Sequence, residues 1–438
     1  MANSRFTLWK PVNRTASESS VALLTGGDDR TYALGLATAL VSRGTRLDVI
    51  GSDDVDCPEF HEKHGLTFLN LRVDQSRDAS LVRKVSRILL FYAKLIRYAA
   101  GARARIFHIL WNNKFQFFDR TLLTFYYKLL GKRIVLTAHN VNAGRRDGND
   151  TFLNRLTLRI QYRLAEHIFV HTEKMKQELT NDFGVEGTRI TVIPLGINDV
   201  FPNTDLTATE ARRRLNIGQG EKTILFFGRI APYKGLEYLV SAFQRRLTQP
   251  GDYRLIIAGK REKGCDAYWA SVRETIREDV HRGRILLRAD FIPDDETEIY
   301  FKAADVFVLP YRHIYQSGVL FLGYSFGLPA IVADVGSLKD EIVEGQTGFV
   351  FRPEDAVDLA KTIERYFSSD LYADLSGRRQ QIRDYANKRY SWDTVGEMTT
   401  KVYAGLLRGI GSKSGAAKAA PRRDEPVMKP QGTYERNH

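Results

Sequence analysis

Cysteine is nearly absent from this chain: Cys57 and Cys265 are the only two among 438 residues. Two cysteines are too few for a disulfide framework or a four-ligand zinc site, so a reducing compartment is favoured. The chain also lacks the run of about 18 apolar residues that a membrane-spanning helix requires, and residues 1–20 lack the apolar stretch of a signal peptide. These absences predict a cytoplasmic protein that does not cross a membrane.

Acidic residues are outnumbered, since 52 Asp and Glu face 65 Lys and Arg, which gives a formal net charge of +13. Such an excess favours an anionic partner: a nucleic acid, a phosphorylated substrate or an acidic membrane surface. The basic residues are spread along the chain, and no nucleic-acid recognition motif occurs. We therefore expect no nucleic-acid partner.

The length exceeds that of one ordinary core and predicts two domains of about 150 to 200 residues each. Short β-branched apolar runs alternate with segments of helical spacing, which is typical of parallel strands joined by crossover helices. The predicted strands are 21–25, 46–50, 66–71, 105–110, 133–138, 167–171 and 190–193, then 223–227, 253–258, 284–288, 305–309, 329–333 and 348–351. The predicted fold class is α/β, with two doubly wound parallel-sheet domains.

Breaks in this rhythm predict the domain boundaries. The turn-forming segment 194–215 is the predicted hinge, so we expect the domains at 21–197 and 198–389. Residues 1–20 are read as an N-terminal extension, and the charge-rich residues 409–438 are predicted to be disordered. Because ligands of doubly wound sheets bind beyond the carboxyl ends of the strands, residues directly after strands are the candidates for a site.

The segment FFGRIAPYKG, residues 226–235, follows a predicted strand and holds two cations close together. Gly228 lets a ligand approach the backbone, while Arg229 and Lys234 can grip phosphates and stabilise charge on a departing diphosphate. The plainer interpretation is a basic loop before an exposed helix. The position after a strand favours a phosphate site.

A second candidate consists of Gln316, Ser317, Gly318 and Val319, where a helix is predicted to begin after the strand 305–309. A helix N-terminus presents free N–H groups and a positive dipole to a phosphate, and the Ser317 hydroxyl adds a donor. A simple N-cap role for Ser317 is the alternative. Both candidates indicate a phosphate-bearing ligand.

Seven short motifs in a fixed order give the chain a family resemblance. They are TGGDD (25–29), VLTAHNV (135–141), VIPLGI (192–197), GRIAPYKG (228–235), QSGV (316–319), GLPAIVADVG (327–336) and EIVEGQTGFV (341–350). With this set the sequence resembles the retaining glycosyltransferases of family 4, also called glycosyl transferases group 1. The resemblance implies the GT-B fold, in which two Rossmann-like domains face each other across a cleft. It also implies a helix at 390–408 that crosses back onto the first domain.

The resemblance further implies roles for single residues. Arg229 and Lys234 bind the donor diphosphate, and the segment 316–319 lines the same phosphates beside Gly228. His139, which follows a predicted strand, approaches the transferred sugar; a structural histidine is the alternative. Arg229, Lys234 and His139 are therefore the predicted catalytic residues.

Three further positions are less specific. Gly26 and Gly27 end the first strand in a tight turn that lies close to donor and acceptor in this family, or they form a purely structural turn. Glu341 matches a recurrent acidic position, although an acid at a helix start near the dipole explains it equally well. The chain departs from the family at Ile314 and Leu322, where many members carry two glutamates, the second of which holds the donor ribose. It resembles a subset with QSGV and an apolar residue there.

The predicted reaction transfers a hexosyl group from a nucleotide diphosphate sugar to an acceptor with retention of configuration. In the family picture the departing phosphate takes the acceptor proton, so the facing carboxylates of a glycoside hydrolase are not required. Asp54 and Asp56 match the acid pair with which other sugar transferases hold a metal, but solvated turn residues are the better interpretation. We expect neither a metal nor another cofactor.

The spacing of apolar residues in 81–99 predicts an amphipathic helix. Its cationic face, opposite the apolar one, holds Arg83, Arg87, Lys94 and Arg97. The apolar residues are Val85, Ile88, Leu89, Tyr92, Leu95, Ile96 and Ala99. Either the apolar face packs on the core beneath a solvated cationic face, or the cations contact anionic lipid head groups. The second interpretation suits a peripheral enzyme on the inner face of the plasma membrane. Its acceptor would be a saccharide, in particular the lipid-linked saccharide of surface polysaccharide synthesis.

Two other functions stay open from the sequence. A degenerate GT-B protein that binds nucleotide without turnover is consistent with the apolar residues Ile314 and Leu322. An NAD-type oxidoreductase also begins with a glycine turn and has acids, Asp53 and Asp54, after its second strand. However, TGGDDRTYALG is not GxGxxG, and the Gly-Arg-Lys motif has no role in hydride transfer. The sequence therefore favours the glycosyltransferase.

Overall fold

Two parallel sheets organise the chain, of which the computed structural model describes residues 21–27, 29–72, 81–146, 150–196, 202–246 and 253–415. The first sheet contains β1 (Val21–Leu24), β2 (Leu47–Gly51), β3 (Leu66–Asn70), β4 (Ile106–Ile109), β5 (Arg133–Thr137), β6 (His167–Val170) and β7 (Ile190–Val192). Its strand order is β3-β2-β1-β4-β5-β6-β7, with parallel pairing throughout. The order reverses at β1, which is the point where doubly wound sheets bind ligands.

The second sheet repeats this plan with six strands. They are β8 (Lys222–Phe227), β9 (Tyr253–Ala258), β10 (Ile285–Arg288), β11 (Val306–Leu309), β12 (Ala330–Ala333) and β13 (Gly348–Phe351). The order is β10-β9-β8-β11-β12-β13, again all parallel. The prediction of two doubly wound α/β domains is confirmed, and each predicted strand is present with either end shifted by at most one residue.

Helices connect the strands of each sheet. Those of the first domain are α1 (Arg30–Ser42), α2 (Glu59–Glu62), α3 (Leu81–Gly101), α4 (Gln116–Phe118), α5 (Thr124–Leu129), α6 (Ala143–Arg146), α7 (Phe152–Leu164) and α8 (Glu173–Phe183). Those of the second are α9 (Ala208–Arg214), α10 (Leu236–Arg246), α11 (Asp266–His281), α12 (Asp294–Ala303), α13 (Gly318–Ser325), α14 (Ala356–Phe367), α15 (Asp370–Ala373) and α16 (Leu375–Tyr390). The last helix is α17 (Trp392–Gly415). Short turns interrupt them: a π-helical turn at Asp119–Leu123 and 3-10 turns at Gly187–Arg189, Pro232–Lys234 and Lys339–Glu341.

The central strands are short continuous apolar runs because both faces of a parallel sheet are covered. Every residue of β1 (VALL), β11 (VFVL) and β12 (AIVA) is buried. In the first domain, one core lies between the sheet and α3, α5, α7 and α8, and the other lies between the sheet and α1, α2 and α17. Strand ends, rather than strand faces, are therefore left to bind a ligand.

Helix α17 begins beside the second domain and packs on the first. Its Val395 and Tyr403 are buried in the same core as α1, and Tyr403 Oη lies 2.6 Å from His108 Nδ1 of β4. The helix continues to Gly415, so residues 409–415 of the predicted disordered tail are helical. Residues 416–438 and the predicted extension 1–20 lie outside the described residues.

The predicted hinge, residues 194–215, contains the helix α9. Thr207 caps it by accepting a hydrogen bond from Glu210 N, and Arg212 donates to Asp305 at 2.7 Å. Because this ion pair is buried in the second domain, the last part of the segment is an ordered piece of that domain rather than a free linker. Residues 197–201 of the segment lie outside the described residues.

The helix predicted at 81–99 is α3, but its apolar face is only partly used by the core. Tyr92, Leu95 and Ala99 are buried, whereas Val85, Leu89 and Ile96 are exposed. The alternative in which the apolar face packs on the core therefore applies to one part of that face, and the other part is exposed. Across the described chain, no helix is both long and apolar enough to cross a membrane.

Candidate functional site

A cavity of about 480 Å³ lies between the carboxyl edges of the two sheets. Its first-domain wall consists of Asp29, Thr31, Tyr32, Leu195 and Gly196, and Trp392 is added by α17. Its second-domain wall consists of Phe227, Gly228, Arg229, Tyr233, Lys234, Ile314, Gln316, Ser317, Gly318, Val319 and Leu322. The cavity thus lies where the sheet topology predicts a ligand.

The structure brings together seven of the predicted site residues and leaves four outside. The seven that line the cavity are Gly228, Arg229, Lys234, Gln316, Ser317, Gly318 and Val319. Three positions in the first domain, Gly26, Gly27 and His139, and one in the second, Glu341, do not line it. The residues predicted to bind phosphate therefore share one cavity wall. Those predicted to lie near the sugar, Gly26, Gly27 and His139, are not part of the cavity lining.

Lys234 is the buried cation of the site. It ends the 3-10 turn Pro232–Lys234, not the start of a helix, and its ammonium donates to Tyr311 Oη at 2.6 Å. The same ammonium lies 4.0 Å from the centroid of the Tyr311 ring. An ammonium at the wall of a cavity attracts an anion and can donate a charge-assisted hydrogen bond to it.

Tyr311 connects this lysine to the start of α13. Its hydroxyl lies 3.2 Å from Ser317 Oγ, and burial raises the pKa of Tyr311, which keeps its proton in place. Lys234 donates to Tyr311 Oη, and either hydroxyl of the Tyr311–Ser317 pair can be the donor of the second hydrogen bond. When Tyr311 donates to Ser317, the Ser317 hydroxyl can donate to a ligand. A hydrogen-bonded chain thus runs from Lys234 to the cavity.

Ser317 occupies the N-cap position of α13 without capping it, since no side-chain cap hydrogen bond forms. The alternative of a simple N-cap is therefore wrong. The first N–H groups of the helix stay available, and the helix dipole adds positive potential at this wall. From the opposite wall α1 presents its own N-terminus, where Asp29 accepts from Tyr32 N at 3.0 Å. The uncapped start of α13 therefore faces a helix start whose dipole the Asp29 carboxylate already satisfies.

Arg229 is the exposed cation of the site. Its side chain is 67% exposed, and Nη1 lies 3.5 Å from Glu262 Oε2. Gly228 precedes it with φ of 110°, a conformation that favours glycine, and a Cβ there would lie 3.3 Å from Val319. A ligand can therefore approach the Gly228 backbone between the exposed Arg229 and the buried Lys234.

A second cavity of about 490 Å³ adjoins the first and shares Phe227, Gly228 and Arg229 with it. Its other walls are Gly259, Lys260, Arg261, Glu262, Lys263, Phe291, Ile292, Asp294 and Thr297. These residues follow β9 and β10 or begin α12. The shared residues make the Gly228–Arg229 turn the boundary between two compartments.

Gly26 and Gly27 form a turn that is closed off from the cavity. Both have positive φ, 63° and 76°, and Arg72 donates to the Gly26 carbonyl. A Cβ on Gly27 would lie 2.4 Å from the Arg72 guanidinium. The turn is therefore needed for the packing of Arg72, and the residues that follow it, from Asp29 onward, reach the cavity instead.

His139 lies one layer behind the cavity wall. Its ring stacks on Trp111 with centroids 4.2 Å apart and meets the edge of Tyr32 at 4.6 Å. Its Nδ1 lies 3.2 Å from His171 Nε2, and Nε2 is closed off from solvent without a hydrogen-bond partner. Burial, and then the neighbouring His171, hold the pKa of His139 well below its usual value, so the ring is neutral.

The hydrogen-bond chain fixes the tautomer of this ring. His171 Nδ1 lies 3.3 Å from the Ile193 carbonyl, to which it must donate, so His171 Nε2 can only accept. His139 Nδ1 therefore carries the proton, and its Nε2 carries a lone pair. The lone pair can accept a hydroxyl, but Nε2 is shielded from solvent in this structure, with the rings of Trp111 and Tyr32 packed against the imidazole.

Glu341 acts on the site through other residues. It ends the 3-10 turn Lys339–Glu341 and accepts from Tyr390 Oη, so the interpretation as an acid at a helix start is wrong. Burial raises the pKa of this carboxyl, while Tyr390 and Gln316 hydrogen bonds oppose the rise. Glu341 therefore ties Gln316 of the cavity wall to the segment that enters α17.

Ile314 and Leu322, where many family members have glutamates, both line the cavity. Leu322 is 5% exposed and packs in the core of the second domain. This wall therefore offers apolar contact and no carboxylate. Polar contacts with a ligand must therefore come from the other walls.

Several residues of the site were not predicted from the sequence. Tyr311, which is buried behind Lys234 and Ser317, directly follows the end of β11 and its proline, so the rule that strand ends bind ligands could have found it. Tyr32 lies in the first turn of α1. Trp392 gives no local signal, because it reaches the cavity only through the crossing of α17. Within the described ranges, no cluster of three or more His, Cys, Asp or Glu is arranged to hold a metal.

Two Rossmann-like domains that face each other across such a cleft define the GT-B class of proteins. The chain belongs to the family 4 glycosyltransferases: residues 30–201 match the family model described as Glycosyltransferase Family 4, and residues 221–369 match Glycosyl transferases group 1. Each match covers one domain.

Curated relatives carry the same kind of name. An uncharacterized glycosyltransferase of Methanocaldococcus jannaschii is 29% identical over 255 residues, which cover 55% of this chain and 60% of that protein. A glycogen synthase of Mycobacterium tuberculosis is 28% identical over 286 residues, 63% of this chain and 64% of that protein. The chain thus spans less than two thirds of the length of these relatives.

Solved structures show the same fold over nearly the whole described chain. Sucrose-phosphate synthase of Thermosynechococcus elongatus has a TM-score of 0.71 at 18% identity, with 89% of this chain and 99% of that one covered. HepE of Anabaena, solved with UDP and glucose, has a TM-score of 0.69 at 16% identity, with 88% and 99% covered. The GT-B architecture is therefore the one expected of the family.

Proposed function

We propose that this protein transfers a hexosyl group from a nucleoside diphosphate sugar to a saccharide acceptor, with retention of configuration. The observation that carries the proposal is the hydrogen-bonded chain from Lys234 through Tyr311 to Ser317, which ends at the uncapped start of α13. Arg229 lies on the same cavity wall. This arrangement suits a diphosphate better than any neutral ligand.

The residues act chiefly on the leaving group. As the bond from the sugar to the diphosphate breaks, negative charge grows on the phosphate oxygens. Lys234, Arg229 and the first N–H groups of α13 stabilise that charge without having to reorganise. The acceptor hydroxyl gives its proton to the departing phosphate, so no protein carboxylate is required. The reaction needs no metal or other cofactor in this proposal.

The donor spans both cavities. The diphosphate lies at the shared Gly228–Arg229 turn, with the sugar towards Tyr32 and Gln316. The nucleoside lies in the second cavity, where Phe291 is 64% exposed and can stack a base. Glu262 supplies a carboxylate for a ribose hydroxyl, in place of the glutamate that is absent at Leu322. HepE, solved with UDP and glucose, gives a precedent for such a donor in this fold.

His139 serves the transferred sugar in this proposal. The lone pair on Nε2 accepts a sugar hydroxyl once the Tyr32 ring has moved aside. The acceptor is a lipid-linked saccharide of surface polysaccharide synthesis, and the enzyme works as a peripheral protein on the inner face of the plasma membrane. Residues 81–99 contact the anionic lipid.

A degenerate protein that binds nucleotide without turnover is the second candidate. The apolar wall of Ile314 and Leu322 is the observation that favours it. Binding of donor without release of free diphosphate in the presence of acceptor would identify this case.

Calorimetric titration with UDP, GDP and ADP tests the donor site, and sugar transfer or donor hydrolysis then tests turnover. The variant Lys234→Met is expected to weaken diphosphate binding by about tenfold or more, since a charge-assisted contact is lost. Lys222→Met is the matched control, because Lys222 lies at the opposite end of β8, over the rings of Tyr253 and Phe367. Equal affinity of Lys234→Met and the parent protein would refute the proposed site.

A further inference from the structure

The exposed apolar side chains of this protein are concentrated on one side of the first domain. We define the apolar surface as Val85, Leu89, Leu90, Ile96, Phe115, Phe117, Leu122, Phe125, Leu129, Leu130, Phe152, Leu153 and Leu156. Elsewhere in the described residues, the large exposed apolar side chains are Val280, Phe291 and Val357. Phe152 is 82% exposed and Leu129 is 70% exposed. Contiguous exposure on this scale marks a binding surface.

Hydrogen bonds and ring contacts make the apolar surface continuous. Tyr92 of α3 stacks on Phe115 with centroids 5.7 Å apart, and Tyr126 of α5 donates to the Ile96 carbonyl at 3.2 Å. Arg120, in the π-helical turn, donates to Asn154 of α7 at 2.8 Å. Helices α3, α4, α5 and α7 therefore form one layer whose outer side is apolar.

Positive charge predominates around the apolar surface. Residues 81–133 contain twelve Lys and Arg and a single acidic residue, Asp119, and that carboxyl is buried. Arg97 and Lys114 are exposed at the edges of the surface, as are Arg155 and Arg159 on α7. Asp150 pairs with Arg155 at 2.6 Å, whereas the edge formed by residues 81–133 has no exposed carboxylate. An apolar surface with a cationic edge of this kind is complementary to a bilayer with anionic head groups.

A second copy of this chain fits the surface less well. Joining two such surfaces would bring two sets of cations together with no exposed carboxylate from residues 81–133 to pair them. That repulsion opposes a symmetric dimer. A lipid surface meets both the apolar area and the charge.

The apolar surface reaches the edge of the cleft. Phe115 and Phe117 follow β4, and Phe152 begins α7, so these residues lie at the carboxyl edge of the first sheet. Trp111, four residues before Phe115, stacks on His139 behind the cavity wall. A membrane at this surface would therefore lie beside the cavity opening.

We infer that the apolar surface, rather than the cationic face of α3 alone, inserts into an anionic membrane, with its phenylalanines and leucines among the head groups. The inference deepens the proposed function, on which it rests for the identity of the acceptor. It goes further in naming α4, α5 and α7 as parts of the membrane contact and in making apolar insertion the main contribution. Long-range attraction by the cations brings the protein to the surface, and insertion holds it there.

Co-sedimentation of the full chain with vesicles of phosphatidylcholine, with and without phosphatidylglycerol, tests the inference. A variant with Leu122→Glu, Phe125→Glu and Leu129→Glu changes three side chains that are at least half exposed. The partition coefficient of this variant into anionic vesicles is expected to be lower than that of the parent by about tenfold or more. Val357→Glu, an exposed apolar residue of α14 in the other domain, is the matched control and should sediment like the parent.

Salt separates the two contributions. At about 1 M salt the Debye length falls to about 3 Å, so Arg97→Glu with Lys114→Glu should reduce binding only at low salt. The parent should keep a measurable bound fraction at high salt, because apolar insertion is not screened. Equal partition of the parent and the triple variant would overturn the inference. So would a parent that does not sediment with anionic vesicles, or a parent dimer in light scattering that the triple variant converts to monomer.

Diphosphate titration of the same variants separates this inference from the proposed function. The triple variant should bind the nucleoside diphosphate like the parent, because the changed residues lie outside both cavities. If the protein binds vesicles as expected but binds no nucleoside diphosphate, the transfer function is refuted and the membrane surface is supported. If it binds the nucleoside diphosphate but not the vesicles, only the membrane surface is refuted.

Discussion

At the scale of single residues, one buried hydroxyl arranges the candidate phosphate site. Tyr311 accepts from Lys234 and shares a hydrogen bond with Ser317, so it fixes the position of a cation and of a neighbouring hydroxyl. The hydrogen bond from Lys234 reduces the cost of burying the lysine. A site of this kind is pre-organised to gain stability when an anion binds.

Replacement of Tyr311 by Phe removes that acceptor while keeping the ring. We expect a loss of about 1 to 3 kcal/mol in the free energy of unfolding, and about tenfold weaker binding of a nucleoside diphosphate. Chemical denaturation and calorimetric titration measure the two effects. Tyr366→Phe is the control, because the buried Tyr366 Oη donates to the Asp305 carbonyl at 2.6 Å, away from the cavity. The idea fails if both variants lose stability and both keep full affinity.

At the scale of elements, the start of α17 packs tightly against the first domain and also lines the cavity. The indole of Trp392 lies against Gly35 of α1 and against Gly196 after β7, where an added Cβ would come within 2.1 Å and 2.4 Å of the ring. The same ring lines the cavity and meets the edge of Tyr32 at 5.2 Å. The packing of one helix start therefore sets part of the cavity wall.

The variant Gly35→Ala tests the packing of Trp392 against α1, because two opposing effects determine whether its stability rises or falls. Helix propensity alone would stabilise α1 by about 1 kcal/mol, whereas overpacking against Trp392 costs about 1 to 3 kcal/mol. We expect net destabilisation, seen as a lower Tm. Gly405→Ala, in α17 with no atom within 4 Å of the new Cβ, should raise or preserve the Tm. An equal rise in both variants would show that Trp392 moves aside freely.

At the scale of the whole molecule, the first domain contains three buried histidines, His108, His167 and His171, and the partly buried His139. Burial lowers the pKa of His108 to about 3, and those of His167 and His171 to about 4. Burial also holds the pKa of His139 well below its usual value. The four lie on or just after β4, β5 and β6, so their protonation acts on one sheet.

The folded pKa values lie below the value of about 6.5 in an unfolded chain, so the unfolded state takes up protons first as the pH falls. Stability is fully present above about pH 6.5 and is lost between there and the folded values near 3 to 4. Each histidine contributes up to about 1.4 kcal/mol per pH unit in that window. Chemical denaturation at about pH 7.5, 6 and 5 measures the slope.

Two variants check the source of that slope. His167→Gln should make the decline of stability with falling pH shallower by about one titrating group. His281→Gln, on the exposed end of α11, should leave the slope unchanged. A stability that stays flat between pH 7.5 and 5 would contradict the neutral, buried state of these rings.

The sequence by itself determined the two sheets, the strand bounds to within one residue, and the second-domain residues that line the cavity after β8 and at the start of α13. Continuous apolar runs such as VFVL and AIVA identify buried parallel strands, and glycine and cations placed directly after such a strand identify its binding edge. These are local patterns, in which the signal and the structure involve neighbouring residues.

Only the tertiary structure decided which residues share a surface. Tyr32 and not His139 reaches the cavity, Gly27 accommodates Arg72, and Trp392 arrives at the wall by way of α17. The apolar face of α3 is likewise divided into a buried and an exposed part by the width of the sheet beneath it. These outcomes depend on contacts between elements far apart in the chain, and hydrophobic periodicity describes each element without specifying what covers it.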